Sequence, residues 1–346
     1  MVPTLLGITL LTFVLMQLAP GDPATMRFDA DGEAGAGTSE VVSTQALERF
    51  RATYLLDQPL WKQYLHYVGP FDLSADGHPW FGGSGARPWG GLVLGDLRNE
   101  MMRPRVRVAD ELARRLRVTV PLALVSVLLA YGIALPLGIW SVLRRGSRLD
   151  VAATMLVFLL YAVPTFWAGL MLQFLFGATG LDWLPVLGLR DAEASTLGPW
   201  ASAWDLVRHA VLPVVCMTYG GFAYLSRQMR SGLLETIEAD YVRTARAKGL
   251  SERAVVLRHA LRNALLPVVT LFASVLPFLI GGSVLVESIF DLPGMGRYAY
   301  EGLLQRDYFV VLATTTLSAV LTLLGILVAD LAYAVLDPRI RLEGRR

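Results

Sequence analysis

The sequence predicts an all-α membrane protein with six transmembrane helices. Apolar residues make up 54% of the 346 residues. Charged residues make up only 17%, against about 25% in soluble domains. The mean hydropathy is +0.49. Uncharged stretches recur along the chain, and most approach the length of about 20 residues that a helix needs to cross a bilayer. The net charge of +2 gives no indication of a nucleic-acid-binding surface.

Six uncharged stretches define the predicted spans. They are Met1–Gly21, Val118–Leu143, Val151–Leu181, Ala210–Ser226, Asn263–Val286 and Tyr308–Ala329. The first and the fourth are short, and the fourth lengthens if His209 and Arg227 extend their polar ends toward the headgroups. The expected helices cover residues 1–19, 118–143, 151–176, 208–228, 263–286 and 309–336, and the transmembrane domain covers 112–336. Prolines within the spans are compatible with membrane helices, because neighbouring helices satisfy the freed carbonyl groups.

Basic residues are distributed unequally between the two sides of this arrangement. The side that holds both termini carries fifteen basic residues in its loops and tail, and the short loops of the other side carry four. Since cytoplasmic loops carry an excess of Lys and Arg, both termini are predicted to be cytoplasmic. Residues 20–117 then lie outside, and residues 337–346 form a cytoplasmic tail. Because Met1 opens directly into an apolar stretch, we expect a lead with at least one arginine upstream of it.

The predicted external segment, residues 20–117, mixes a Gly-rich acidic loop with helical patterns. Gln45–Val68 predicts an amphipathic helix that is interrupted at Pro59. Ala109–Arg117 predicts a charged helical lead into the second span. Two interpretations of the segment stay open, an external cap without chemistry and a docking surface for a soluble partner.

The most informative stretch is the predicted cytoplasmic loop, residues 229–262. Glu235–Lys248 predicts one helix with Gly249 at its C-terminal cap. Ser251 is placed to cap a second helix, Glu252–Asn263. A slim basic helix that projects into the cytoplasm suits insertion into a groove of another protein. The residues equally allow an interfacial helix that lies on anionic headgroups.

This loop resembles the coupling loop of a known transporter family. Asp240–Ser251 (DYVRTARAKGLS), followed by Arg258–Pro267, is similar to the EAA-type coupling loop of type I ABC importer permeases of the dipeptide/oligopeptide/nickel class. Further similar stretches are Leu18–Pro23, Leu56–Trp61, Gly95–Leu97, Glu287–Gly296, Arg306–Tyr308, Asp330–Tyr333 and Asp337–Arg341. The chain resembles the first of the two permease types, and its tail Leu342–Arg345 resembles the microcin/peptide branch. It departs from the family at its start, just before Asp330, and in a longer stretch around Asp76–Pro88.

The resemblance implies the type I ABC importer permease fold and a multi-pass subunit that imports peptides across the bacterial cytoplasmic (inner) membrane. The partners it implies are a second homologous permease, two ABC ATPase subunits and a periplasmic or lipid-anchored substrate-binding protein. It implies that ATP binds to the ATPase subunits and that this chain holds no cofactor. Cargo stays open between dipeptide, oligopeptide, modified peptide, nickel and oligosaccharide.

The same resemblance implies which residues meet the ATPase. They are Tyr241, Arg243, Thr244, Ala245, Ala247, Lys248, Gly249 and His259. Among them, we expect Ala245 to press into the ATPase groove. We expect Gly249 to turn the chain with a positive φ, which glycine adopts without steric cost.

Two other classes of protein compete with the transporter subunit. An ion-gradient-driven secondary transporter needs ionisable residues in the membrane, and Asp330 and Glu287 are the candidates. Asp330 is either a proton-relay residue or the partner of an arginine at the cytoplasmic end. Glu287 either touches substrate or caps the interface.

A membrane enzyme is the third class. Its own ATPase site would need a Gly-Lys-Ser/Thr phosphate loop. The only lysines are Lys62, which precedes glutamine, and Lys248, which precedes glycine. The single cysteine and the four dispersed histidines provide no metal-binding spacing.

Overall fold

The computed structural model describes residues 1–30, 40–69, 91–177, 180–272 and 275–336, and this part of the chain is mostly helical. The helices are α1 (Val2–Leu18), α2 (Pro23–Ala30), α3 (Glu40–Thr53), α4 (Leu60–Val68), α5 (Val108–Leu143), α6 (Arg148–Ala162), α7 (Thr165–Phe176), α8 (Pro199–Ile237), α9 (Asp240–Ala247), α10 (Glu252–Ala254), a π-helix (Val255–Ala260), α11 (Leu261–Ala264), α12 (Leu266–Phe272), α13 (Val275–Gly281), α14 (Val284–Ile289), α15 (Met295–Leu304) and α16 (Tyr308–Leu336). The predicted all-α class is confirmed.

Within the described residues, three helices are long and apolar enough to cross a membrane by themselves, namely α5, α8 and α16. Helices α6 and α7 pass the same test only as a pair, and α1 has 17 residues. The count of six spans stays a prediction.

Three of the predicted spans differ from the prediction in length or continuity. The third breaks between α6 and α7, which meet at 96°. Pro164 restricts Val163 to an extended backbone, with φ −77° and ψ 120°, so the helix ends there. The fourth span, predicted at 208–228, continues at both ends as the 39-residue α8. The fifth, predicted at 263–286, is divided into short helices, and Gly282 with φ +64° separates two of them.

Residue contacts divide the chain into two units. The first unit comprises Met1–Arg115 and Tyr298–Val320, and the second comprises Leu116–Arg297 and Leu321–Arg346.

In the first unit, α1 packs against α4 through aromatic and amide side chains. The hydroxyl groups of Thr9 and Tyr64 lie 2.9 Å apart, and the rings of Phe13 and Tyr64 have centroids 5.5 Å apart. Gln17 donates to Gln63 over 2.7 Å. The predicted interrupted helix at 45–68 is confirmed as α3 and α4 with a break before Pro59.

Two buried carboxylates connect the segment before α5 with α15 and with the start of α16. Asp307 accepts the N–H of Val310 (3.2 Å), and so caps α16, and also the N–H of Met102 (3.0 Å). Glu100 accepts the hydroxyl of Tyr298 (2.8 Å). Burial raises the pKa of Asp307 to about 6. The segment before α5, which the sequence predicts to be external, is therefore held by specific polar contacts.

The second unit contains two apolar clusters that hold its helices together. The first joins α5 and α8 to the loop that follows α8, and its fully buried members are Ala134, Met229, Leu233, Val242, Val255, Val256, Ala260 and Ala264. The second joins α5 and α8 to α14 through Leu122, Leu212, Val214, Cys216, Val286 and Phe290.

Candidate coupling loop and polar anchors

A sharp turn separates α8 from α9. Helix α8 ends at Ile237, and Ala239 is extended with φ −68° and ψ 149°. The prediction of one helix over Glu235–Lys248 is therefore wrong at Glu238 and Ala239. The turn lets α9 fold back, so that its apolar side chains are buried instead of pointing into water.

The turn after α9 has the geometry that the sequence predicts. Gly249 has φ +81°, which confirms the left-handed backbone expected there. A Cβ at this position would have nothing within 4 Å, so the backbone alone requires glycine. Ser251 stands at the N-cap position of the next helical segment, but its side chain makes no capping hydrogen bond. The second helix, predicted at 252–263, is confirmed with a π-helix at its centre.

One side of α9 belongs to the chain's own core. Val242 is fully buried and Ala245 is 5% exposed. Both pack in the first apolar cluster of the second unit, which includes Met229 of α8 and Val255 of the π-helix. The expectation that Ala245 presses into an ATPase is therefore contradicted, because its side chain faces inward.

The opposite side of α9 is exposed, and we call it the outward face. Its members are Asp240, Tyr241, Arg243, Thr244, Arg246 and Ala247, together with Lys248 directly after the helix. The sequence resemblance implied five of these seven residues and did not imply Asp240 or Arg246. His259 lies on the π-helix and is half-buried. This face carries three cations, one carboxylate, an aromatic ring and small side chains, a composition suited to a protein partner.

Polar contacts fix the position of α9 at both ends. Arg246 donates from Nε to Glu252 over 2.6 Å and from Nη1 to the carbonyl of Ile237 over 3.2 Å. The hydrogen bond to Glu252 raises the pKa of Arg246. Asn263 donates to the hydroxyl of Tyr241 over 2.8 Å. These contacts link α9 to α8 and to the segment that leads into the fifth predicted span.

A comparable polar anchor fixes the turn between α5 and α6. Asp150 is 3% exposed and accepts from Arg230 (3.0 Å), from the N–H of Gly146 (3.1 Å) and from Ser141. Gly146 has φ +78° and open space around its Cβ position. Sequence reasoning missed this anchor, because its members are up to 80 residues apart along the chain.

Glu287 is a buried anchor in this structure. It is 2% exposed and accepts the hydroxyl of Thr119 (2.9 Å) and the N–H of Arg297 (2.8 Å). A Cβ at Gly282 or Gly294 would lie 2.2 Å from its carboxylate group, so both glycines make room for it. The Glu287 side chain is directed into its own chain, away from solvent. The glycines of Glu287–Gly296 were the sequence signal for such a close approach.

Asp330 occupies an exposed position on α16 and makes no ion pair within the described residues. Its assignment as a proton-relay residue or as the partner of an arginine at the cytoplasmic end stays a prediction. In the described part of the chain, no hydrogen bond or ion pair joins Asp330 to another predicted site residue.

The fold and the loop define a class of protein, a helical membrane protein with a short helix that is buried on one side and presented on the other. Residues 134–342 match the family described as the binding-protein-dependent transport system inner membrane component. The chain belongs to this family, and the resemblance drawn from its coupling loop is confirmed.

Curated relatives match along nearly the whole chain. The oligopeptide transport system permease protein AppB of Bacillus subtilis is 38% identical, with 98% of this chain and 96% of that protein covered. The dipeptide transport system permease protein DppB of Escherichia coli K12 is 34% identical over the same shares. A solved structure of the MetNI methionine ABC transporter, in an inward-facing conformation, has a TM-score of 0.48 and 18% identity and covers 66% of this chain and 96% of that chain.

Proposed function

We propose that this chain is the permease subunit through which an ATP-binding-cassette importer moves peptides across the cytoplasmic membrane. The observation that carries this proposal is the full-length similarity to peptide permeases of 34 to 38% identity. ATP is bound and hydrolysed in separate ATPase subunits. In support, neither of the two lysines stands in a phosphate-binding loop.

The architecture of α9 supports a direct mechanical role. Eight residues form a helix about 12 Å long. Its inner side is packed on α8 and on the π-helix, so a push on the outward face moves α9 together with both. Closure of the ATPase pair is thereby converted into movement of α8 and of the helices that follow the loop. Packed interiors transmit such displacements because they have low compressibility.

The proposed assembly contains a second homologous permease, two ATPase subunits and a periplasmic or lipid-anchored substrate-binding protein. Both termini and the outward face of α9 are cytoplasmic in this proposal. A cysteine at Ser251 should then be protected from an impermeant thiol reagent added outside, and one at Ala192 should react, both in a Cys216→Ser background. The reverse pattern would refute the orientation.

Transport in proteoliposomes tests the function. The four-subunit complex and its binding protein should accumulate labelled peptide when ATP is present on the α9 side, and an ion gradient alone should give no accumulation. Uptake driven by the gradient without ATP would overturn the proposal in favour of a secondary transporter.

A further inference from the structure

A histidine and two aspartates meet at the N-terminal end of α8. Asp205 and His209 are one helical turn apart, and Asp191 comes from the connection that precedes α8. One ligand atom from each residue lies within 4.8 Å of the others. Asp205 is 7% and His209 3% exposed, whereas Asp191 is open to solvent. Sequence spacing alone missed this group, because Asp191 is 18 positions before His209.

The contacts of His209 determine which ring nitrogen is available. Its Nδ1 lies 2.9 Å from the carbonyl oxygen of Asp205. A carbonyl oxygen only accepts, so Nδ1 carries the hydrogen and Nε2 of the neutral ring has a free lone pair. This Nε2 faces Oδ1 of Asp191 at 3.6 Å, which is longer than a hydrogen bond. A proton on Nε2 or a metal ion between the two atoms satisfies both acceptors, and the experiment below separates these two cases.

The neighbouring arginines are engaged elsewhere. Arg190 donates to the hydroxyl of Ser202, and Arg208 donates to the carbonyl of Trp183 over 3.1 Å. Neither side chain has an ion pair with Asp191 in the described residues. The gap between Nε2 and Asp191 is therefore not filled by these arginines.

We propose that Asp191, Asp205 and His209 form a binding site for a divalent first-row metal ion. His209 Nε2 and the Asp191 carboxylate bind the ion directly. A tetrahedral zinc ion separates two ligand atoms by about 3.4 Å, close to the observed 3.6 Å. The carboxylate of Asp205 lies 3.2 Å from Nδ1 and accepts the backbone N–H of Asp191 at 3.3 Å. It holds the ring and the loop in place, as carboxylates behind metal-binding histidines do.

The location makes the site reachable for ions in water. Trp183, Trp200 and Trp204, which surround this end of α8 in sequence, are 63%, 90% and 65% exposed. Exposed tryptophans of membrane proteins gather at the membrane–water interface. The inference does not depend on the cargo or on the proposed function.

Zinc binding to the full-length chain, in its complex and in lipid nanodiscs, tests the proposal. Titration with ZnCl2 after treatment with a chelator should give saturable binding of about one ion for each copy of this chain. Asp191→Asn changes an exposed side chain and should weaken binding at least about tenfold. His209→Gln should do the same. The matched control is Glu193→Gln, an exposed acid in the same connection, which should bind zinc like the unchanged chain.

X-ray absorption at the zinc edge supplies a second readout. The spectrum should contain one imidazole nitrogen and oxygen ligands, and calcium should compete poorly because imidazole suits transition metals. Absence of saturable binding, wild-type binding by Asp191→Asn, or a sulfur ligand from Cys216 would each overturn the proposal. A complex that shows only protonation of His209, without zinc uptake, would overturn it as well.

Discussion

Replacing Gly249 by valine perturbs the backbone turn after α9 without creating a packing clash. Gly249 has φ +81°, and a Cβ there would meet nothing within 4 Å. The cost is therefore conformational, about 1–2 kcal/mol for an L-residue in the left-handed region. The cost for valine should lie at the upper end of this range, because a β-branched residue with positive φ is a true outlier.

The size of this cost sets the expected effect. At about 1.4 kcal/mol for each factor of ten, the orientation of α9 that meets the ATPase should be populated about 5- to 30-fold less. Binding of the ATPase subunits to the permease pair should weaken by the same factor, and the stimulation of ATP hydrolysis by loaded binding protein should fall. Titration of ATPase onto nanodisc-embedded permease measures the first effect, and phosphate release measures the second.

Gly146→Val is the matched control. Gly146 has φ +78° and also nothing within 4 Å, so it carries the same backbone cost at the turn between α5 and α6. Its turn is outside the proposed coupling loop, and we expect ATPase binding to be unchanged. Equal losses in the two variants, or full binding in Gly249→Val, would refute the role assigned to the α9 turn.

Three further predictions follow from buried side chains. Ala245→Glu should lower the midpoint of thermal unfolding, because it buries a carboxylate in an apolar cluster, whereas the exposed Ala247→Glu should keep the midpoint and weaken ATPase binding. A thiol-reactive dye that reacts with the buried Cys216 on unfolding measures the midpoint. Equal midpoints for the two variants would contradict the inward position of Ala245. Glu287→Gln should cost about 1–3 kcal/mol by leaving a buried donor with a poorer acceptor, and an unchanged midpoint with the same dye would show that the anchor is dispensable. Burial raises the pKa of Asp307 from 3.8 to about 6, so its contribution to stability is complete below pH 3.8 and is lost as pH rises through about 6. Residues 99–107 should therefore lose protection from hydrogen exchange over that pH range, after correction for intrinsic rates. Asp307→Asn should abolish this pH dependence, and the same dependence in both proteins would refute the role of this carboxyl group.

Local patterns predicted the features that depend on neighbouring residues. The break before Pro59, the helical lead at Ala109–Arg117 and the positive φ of Gly249 follow from proline, charge spacing and glycine, whose effects act within a few residues. The family resemblance drew attention to the loop that contains α9, and five of the seven residues of the outward face were among those it implied.

Features that depend on distant contacts could not be predicted in this way. Glu287 accepts a hydrogen bond from Thr119, 168 residues away, and nothing near Glu287 identifies that donor. The direction of Ala245 depends on the turn at Ala239, which the strong helical propensity of the surrounding residues conceals. Helix propensity predicts backbone conformation poorly where burial determines it, and the apolar cluster beneath α9 determines it here.

The division of α9 into an inner and an outward side has a consequence for engineering. Val242 and Ala245 pack in the interior of this chain, and Tyr241 accepts a hydrogen bond from Asn263. The side chains of Arg243, Thr244, Ala247 and Lys248 are exposed and, among the described residues, make no contact with the core. These exposed side chains can therefore be exchanged without disturbing the packing of α9 on the rest of the chain. Grafting the corresponding four side chains of another permease should redirect this subunit to the ATPase of that permease, while its membrane helices keep their own selectivity.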